Sequence, residues 1–349
     1  MELISNRLLL LGLLLILSGE LHLQSAMAAE ASSAANSELS SDQKLQSMIE
    51  FIMQEGNAPY CEDPVRHLRF PAKVESTGNC DDGDATLFNG LLCAAGISQG
   101  CDGVKSAQIT ETGEWLRSPR FVSNRALRPT NSFSPDMALG LQIYAVSQNT
   151  LEVRLSIGRW LEWIEDNRPC IEGSEPDCAR GLPRFCRDDE EQGCFLRLGD
   201  AVTLAHTAEF LKVQVPPNLK RLFRILSSRY NQDSLLWASA NINDLGYPLH
   251  LVGIGIWLAR LQGDDSPTLQ RAAERLSLRQ PLNPFFSYLA TGPTEELKIR
   301  VLEVCPTSST TIPSEKIEWS WEREDQAQAW KNSMLWDCVF MAKLLLQSN

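Results

Sequence analysis

The sequence predicts an all-α protein, built as an (α/α)6 toroid of six helical hairpins with its long loops on one face. Three observations predict it. From Ser41 onward the chain shows helical periodicity and almost no period-2 strand pattern. Its helices are of two kinds, amphipathic and apolar nearly all round, and the two alternate in order. Connections from an apolar helix to the next amphipathic one are short, while those in the other direction are mostly long.

The amphipathic helices are expected at 42–55, 151–166, 218–229, 267–278 and 294–304, with a short one at 104–116. In 151–166, Leu151, Leu155, Gly158, Leu161 and Ile164 make one side apolar, and Glu152, Arg154, Arg159, Glu162 and Glu165 populate the rest. The apolar helices are expected at 84–96, 136–147, 200–212, 248–261, 283–291 and 335–347. A helix apolar on all faces is buried. Glycine inside such a helix costs about 1 kcal/mol against alanine, so the repeated glycines point to close helix–helix approach. Six pairs fill the chain at roughly 50 residues per pair, a spacing typical of helical repeats.

Short connections fall at 97–103, 148–150, 213–217, 262–266 and 292–293, and long ones at 56–83, 117–135, 167–199, 230–247 and 305–334. In a ring, the long loops emerge where the apolar helices begin. That face is the expected working surface.

Residues 1–28 read as a signal peptide: Arg7 precedes the apolar run Leu8 to Leu17, and Ala26-Met27-Ala28 offers a cleavage site. The run is short of the roughly 20 residues that a membrane span needs, so no span is expected after cleavage. Residues 29–40 are small and polar and read as a disordered lead-in, leaving 41–349 as one domain. The ten cysteines are even in number and suit an exported protein in an oxidising compartment. Cys170, Cys178, Cys186 and Cys194 recur through a loop with no periodicity of its own, where disulfides substitute for a core. Their connectivity is open, and Cys305 with Cys338 is one option for tying the last loop to the last helix. There is no C-x-x-C pair and no neighbouring histidine to suggest zinc. The absence of an Asn-x-Ser/Thr sequon favours a bacterial periplasm or the medium. A net charge of −12 and a pI near 4.9 argue against nucleic acid and anionic lipid as partners.

Asp84, Asp136 and Asp337 each stand at the start of an expected apolar helix, as does Asp200. Any one of them can be an ordinary N-terminal acid, since helix N-termini favour carboxylates. In a toroid they would ring one funnel, where paired carboxylates can do acid–base work. Asp84 closes the cluster Asp81-Asp82-Gly83-Asp84, for which calcium is the rival use; the remainder of an EF-hand loop is lacking. Ser134 is a good N-cap before Pro135, which would leave Asp136 free for another role. His250 is either a hydrogen-bonded structural residue or an acid or base at the funnel mouth. Trp115, Trp321, Trp330 and Trp336 lie in or beside long loops, and serve either to anchor them or to stack on sugar rings. Asn89, Arg117, Arg120 and Tyr247 are available to bind hydroxyls or a carboxylate. Trp160, Trp163 and Trp257 read as core. Gly96-Ile-Ser98-Gln-Gly100 matches the nucleophile pattern G-x-S-x-G, but it trails an apolar helix instead of turning from strand to helix, so Ser98 is discounted.

The alternation of helices, the loop asymmetry and the Asp84, Asp136 and Asp337 segments resemble the six-hairpin glycosidase superfamily over residues 41–349. With the export signal, that resemblance implies an exported enzyme acting on a poly- or oligosaccharide; a monomer without metal or cofactor is expected. Hydrolysis would use Asp84 and Asp136 as the carboxylate pair, with Asp337 or His250 as substitute. A polysaccharide lyase, or a non-catalytic envelope protein binding a glycan or a protein, are the alternatives.

Overall fold

The computed structural model describes residues 39–74, 78–174, 177–187, 193–227, 229–307 and 330–347. The signal segment and the lead-in up to residue 38 lie outside the described residues, as does most of the last long loop. Among the described residues the protein is all-α, with a few short strands. The chain begins with α1 (Ser41–Met53), then two antiparallel hairpins, β1 (Tyr60–Asp63) with β2 (Leu68–Pro71) and β3 (Lys73–Val74) with β4 (Cys80–Asp81). Next come α2 (Ala85–Ala94), α3 (Ser98–Lys105), the short α4 (Pro119–Ser123), α5 (Pro135–Gln148) and α6 (Leu151–Asp166). A third hairpin pairs β5 (Cys170–Glu172) with β6 (Ala179–Arg180). The remaining helices are α7 (Leu198–Leu211), α8 (Pro217–Ser227), α9 (Gln232–Ile242), α10 (Tyr247–Leu261), α11 (Pro267–Arg279), α12 (Pro284–Thr291), α13 (Glu295–Val304) and α14 (Trp330–Leu346).

The apolar helices pack on one another in a circuit: α2 on α5, α5 on α10, α10 on α12, α12 on α14, and α14 back on α2. The amphipathic helices lie against them, and α1 packs on both α13 and α14, so the two ends of the described chain meet. Helix α5 touches both α7 and α10, a direct α5–α10 contact that departs from an evenly spaced ring of six. One continuous core runs through these helices, with Leu87, Phe88, Leu141, Ile254, Phe285 and Phe340 fully buried. Each such side chain contributes about 1.5–3 kcal/mol by leaving water.

Close helix approach is found where the glycines suggested it. A Cβ on Gly90 of α2 would lie 2.2 Å from the Gly140 carbonyl oxygen of α5, and one on Gly140 would lie 2.3 Å from the Leu87 Cα. Only hydrogen fits between these backbones.

Several expectations are corrected. The stretch 230–247 is not a loop: Asn231 accepts from the Asp233 and Ser234 amides and starts α9. The short outer helix lies at Ser98–Lys105 rather than 104–116, and an isolated bridge joins Gln108 to Trp115 beyond it. In α6 the buried face is Val153, Ile157, Trp160, Leu161 and Ile164, whereas Leu151 and Leu155 are exposed. The two tryptophans Trp160 and Trp163 outweigh the leucines in apolar area and decide which side turns inward. Asp337 does not open a helix either, because α14 begins at Trp330 and carries it in its interior.

All ten cysteines pair at disulfide distance: Cys61–Cys80, Cys93–Cys101, Cys170–Cys178, Cys186–Cys194 and Cys305–Cys338. Three of the pairs join residues eight apart. Five pairs suit an oxidising, exported environment. Among the described residues no helix is long and apolar enough to cross a membrane.

Candidate functional site

The acidic cluster before α2 is a structural knot. Asp84 sits at the N-cap position of α2 yet makes no side-chain cap; its Oδ2 lies 3.4 Å from Lys73 Nζ and its Oδ1 3.8 Å from Arg117 Nη1. The same Lys73 ammonium is 3.3 Å from Asp81 Oδ2. Asp82 accepts from Ser118 Oγ at 2.5 Å and from Arg120 Nη1 at 2.7 Å. Burial pushes the Asp82 carboxyl up, and those two partners pull it back. Arg117 donates to the carbonyls of Gly83 at 2.6 Å and Asn131 at 2.5 Å, and its amide donates to Ser132 O at 2.9 Å. The two arginines therefore fasten the segment 115–120 to the start of α2 and to the approach to α5.

Most of the other expected site residues are internal. Asn89 is fully buried and donates to Ala85 O and Pro71 O, stitching α2 to β2. Trp115 is buried and donates to Val104 O at 3.0 Å. Trp336 is buried on α14, donates to Pro59 O at 2.7 Å, and meets the Tyr60 ring edge-on. These indoles anchor loops and present no free face. His250 is buried, its Nε2 is 3.2 Å from Asn283 Nδ2, and its ring meets Phe286 edge-on. Asp337 is fully buried. Trp321 lies outside the described residues, and so does the side chain of Trp330.

Asp136 stands elsewhere. It lines a cleft of about 390 Å³ between α5, α7, α9 and α10, together with Asp200, Arg197 and Tyr247. The Asp136 carboxylate accepts from Ser134 Oγ, from the Met137 amide at 3.2 Å, and from the Tyr247 hydroxyl at 2.6 Å. Ser134 occupies the N-cap position, but its hydroxyl donates to Asp136 and does not cap the helix. Asp136 is thus held in place, contrary to the expectation that Ser134 would leave it free.

Asp200 is the third residue of α7, and its Oδ2 accepts from the Arg197 amide at 3.1 Å. Burial pushes its carboxyl up to about 6; the Arg197 amide and charge oppose this, and the negative charge of Asp136 adds to it. Two acids from separate helices therefore feel one another in one cleft. Leu139, Leu235, Leu236 and Leu251 give the cleft apolar walls, and Gln142, Thr203, Ser239 and Asn243 give it hydrogen-bonding groups. Beneath it Gln142 Oε1 accepts from Thr207 Oγ1 at 2.8 Å, and Gln262 donates to the same hydroxyl at 2.9 Å. The Thr207 hydroxyl thereby links the Gln142 and Gln262 side chains.

A larger cavity of about 590 Å³ lies at the C-terminal ends of α10 and α12, beside Trp257, Arg260 and Tyr288. It has a single carboxylate, Asp265, and Arg260 is engaged by Leu289 O and Gln270. Of these two cavities the smaller is the better site, because it joins two acids to a phenol and a guanidinium.

Sequence reasoning named Asp136 and Tyr247 without pairing them. It noted Asp200 only among the helix-start acids, and it missed Arg197. The signal for Asp200 was its place after Arg197-Leu198-Gly199 at the head of an apolar helix, the same placement that singled out Asp136. Among the described residues no group of three or more His, Cys, Asp or Glu is arranged to hold a metal ion.

Fold and site together define a helical, disulfide-bearing protein with a carboxylate-lined cleft at the N-termini of two apolar helices. Comparison with protein-family models, with curated proteins and with solved structures returns no match for this chain.

Proposed function

We propose that the Asp136–Asp200 cleft is the acid–base site of an exported glycoside hydrolase, acting on an oligosaccharide or the end of a polysaccharide. The observation that carries this reading is the two carboxyls in one cleft with different environments. Asp200, buried and raised to about 6, keeps a proton at mildly acid pH and is the general acid. Asp136, fixed by three donors, is the base. A carboxyl that keeps its proton beside a second carboxylate can divide acid and base roles with it. In the reaction the glycosidic C–O bond breaks, and Asp200 gives its proton to the departing oxygen. A water oxygen bonds to the anomeric carbon, and its proton passes to Asp136.

Further support comes from the chain as a whole. The cleft volume falls in the range of roughly 300–1,000 Å³ usual for small-molecule sites. The circuit of apolar helices is compatible with a ring of hairpins whose helix N-termini face one opening. The five cysteine pairs suit a periplasmic or extracellular location. Of the residues a lyase reading would use, His250, Arg117 and Arg120 are engaged in internal bonds, and Tyr247 alone lines the cleft.

The test is to incubate the purified chain with a panel of defined oligosaccharides and follow reducing-end release. Turnover should be lost in both Asp136→Asn and Asp200→Asn while the fold remains intact. Unsaturated, ultraviolet-absorbing products would point to a lyase. Binding without turnover would point to a glycan-binding protein.

A further inference from the structure

We propose that the cleft takes a glycan joined to an aliphatic chain, with the glycosidic bond at the acids of the mouth and the chain running inward along a wall of leucines. This names a substrate class for the Asp136–Asp200 site and rests on the hydrolase reading, but the fit of the chain can be measured without turnover.

The helices give the cleft a mouth and an inner end. Asp136 and Tyr247 stand in the first turns of α5 and α10 and are bonded to each other, so those turns lie at one level. Asp200 lines the same cleft from the first turn of α7, and further along α7 Thr207 reaches Gln142 of α5, so these two helices run in one direction. Helix α9 runs the other way, because only Asn243 to Gly246 separate its end from the start of α10. The side chain of Leu236 agrees with this direction: a Cβ on Gly255, eight residues beyond Tyr247, would lie 2.8 Å from Leu236 Cδ2. At the helical rise per residue, the passage from the acids to Gln142 and Leu236 is about 9–12 Å long.

The walls of that passage are largely aliphatic. Leu139, Leu235, Leu236 and Leu251 line it and are each only half-buried. Tyr247 is the one aromatic among the described residues that line it, and its hydroxyl is bonded to Asp136. Sugar rings bind through aromatic faces and dense hydrogen bonding, whereas a methylene chain needs neither and gains by leaving water. An acid mouth above a leucine wall therefore matches a molecule that is glycan at one end and chain at the other. Gln232, the first residue of α9, lies at the inner end; it is 4% exposed, and its side-chain nitrogen has no hydrogen-bond partner among the described residues. An unmet buried donor is a standing cost, which an oxygen at the far end of the chain would remove. In the reaction the oxygen joining chain to sugar takes the Asp200 proton and leaves as an alcohol. Water gives its hydroxyl to the anomeric carbon and its proton to Asp136.

The test is titration calorimetry of the full chain with thio-linked alkyl glycosides, which resist hydrolysis, at one pH and below their micelle-forming concentrations. From methyl to octyl, affinity should rise about fourfold for each added methylene. Gly255→Ala, whose methyl would displace the Leu236 side chain, should lower octyl affinity and leave methyl affinity unchanged. Leu251→Asn should flatten the rise. A hydroxyl at the end of the octyl chain should add about threefold to tenfold in the wild type and nothing in Gln232→Leu. Affinity independent of chain length in the wild type overturns the proposal, as does a rise that survives both Gly255→Ala and Leu251→Asn. No gain from the hydroxyl overturns the role given to Gln232. Chain-dependent binding without turnover of any matching O-glycoside would overturn the hydrolase reading alone. Turnover of plain oligosaccharides with no chain dependence would overturn the chain alone.

Discussion

Tyr247 and Asp136 are 111 residues apart in the chain, yet the Tyr247 hydroxyl donates to Asp136 Oδ2 at 2.6 Å across the cleft. Each residue stands in the first turn of an apolar helix, and α5 packs directly on α10. The bond exists because those two helices start at the same level. Tyr247→Phe removes one hydrogen bond to a charged acceptor and should cost about 1–3 kcal/mol by urea unfolding. In the proposed enzyme it should lower kcat more than it raises KM. An unchanged kcat would show that the phenol does not position the base.

The raised Asp200 carboxyl fixes the sign of a pH effect. Its folded value of about 6 lies above the ordinary 3.8, so its favourable contribution is complete below about 4 and is lost as pH rises through about 6. Asp200→Asn should therefore become more stable relative to the wild type as pH is raised across that window. Urea midpoints taken at several pH values read this directly. A constant difference between the two proteins would mean that Asp200 titrates in the same way folded and unfolded.

Asp84 should behave as a structural residue. Asp84→Asn leaves Lys73 and Arg117 with less opposing charge in a buried setting, at a cost of about 1–3 kcal/mol. Any residual folded protein should keep the turnover of the wild type. Loss of turnover with unchanged stability would return Asp84 to the catalytic group.

The Gly90–Gly140 contact sets the spacing of α2 and α5. Gly90→Ala would drive a methyl to 2.2 Å from a backbone oxygen that cannot move independently of its helix. The intrinsic gain of alanine in a helix is about 1 kcal/mol, and overpacking of a rigid contact costs about 1–3 kcal/mol or more. The net effect should be destabilising, read as a lower Tm. Gly158→Ala, with open space around its Cβ position, should instead be neutral or stabilising.

Much of this protein is determined by residues that are close in the chain. The apolar run Leu-His-Leu-Val-Gly-Ile-Gly-Ile-Trp-Leu-Ala defines α10, and the repeated cysteines mark covalent staples, because helical periodicity and cysteine spacing are local properties. Helix α9 was hidden: its stretch is short, and its Asn231 start lay in a segment read as one long loop. The inward face of α6 was misjudged because a helical wheel with apolar groups on two sides does not say which side finds a partner.

Placement was decided only by the tertiary structure. By sequence, Asp84, Asp136, Asp200 and Asp337 are four acids at or near the heads of apolar helices. Packing then gave Asp84 a lysine and an arginine, enclosed Asp337 inside α14, and brought Asp136 and Asp200 from separate helices into one cleft. A carboxylate's chemistry depends on which charges and how much water surround it. Some of those neighbours, such as Tyr247 beside Asp136, come from helices far away in the chain, and only the folded protein assembles them.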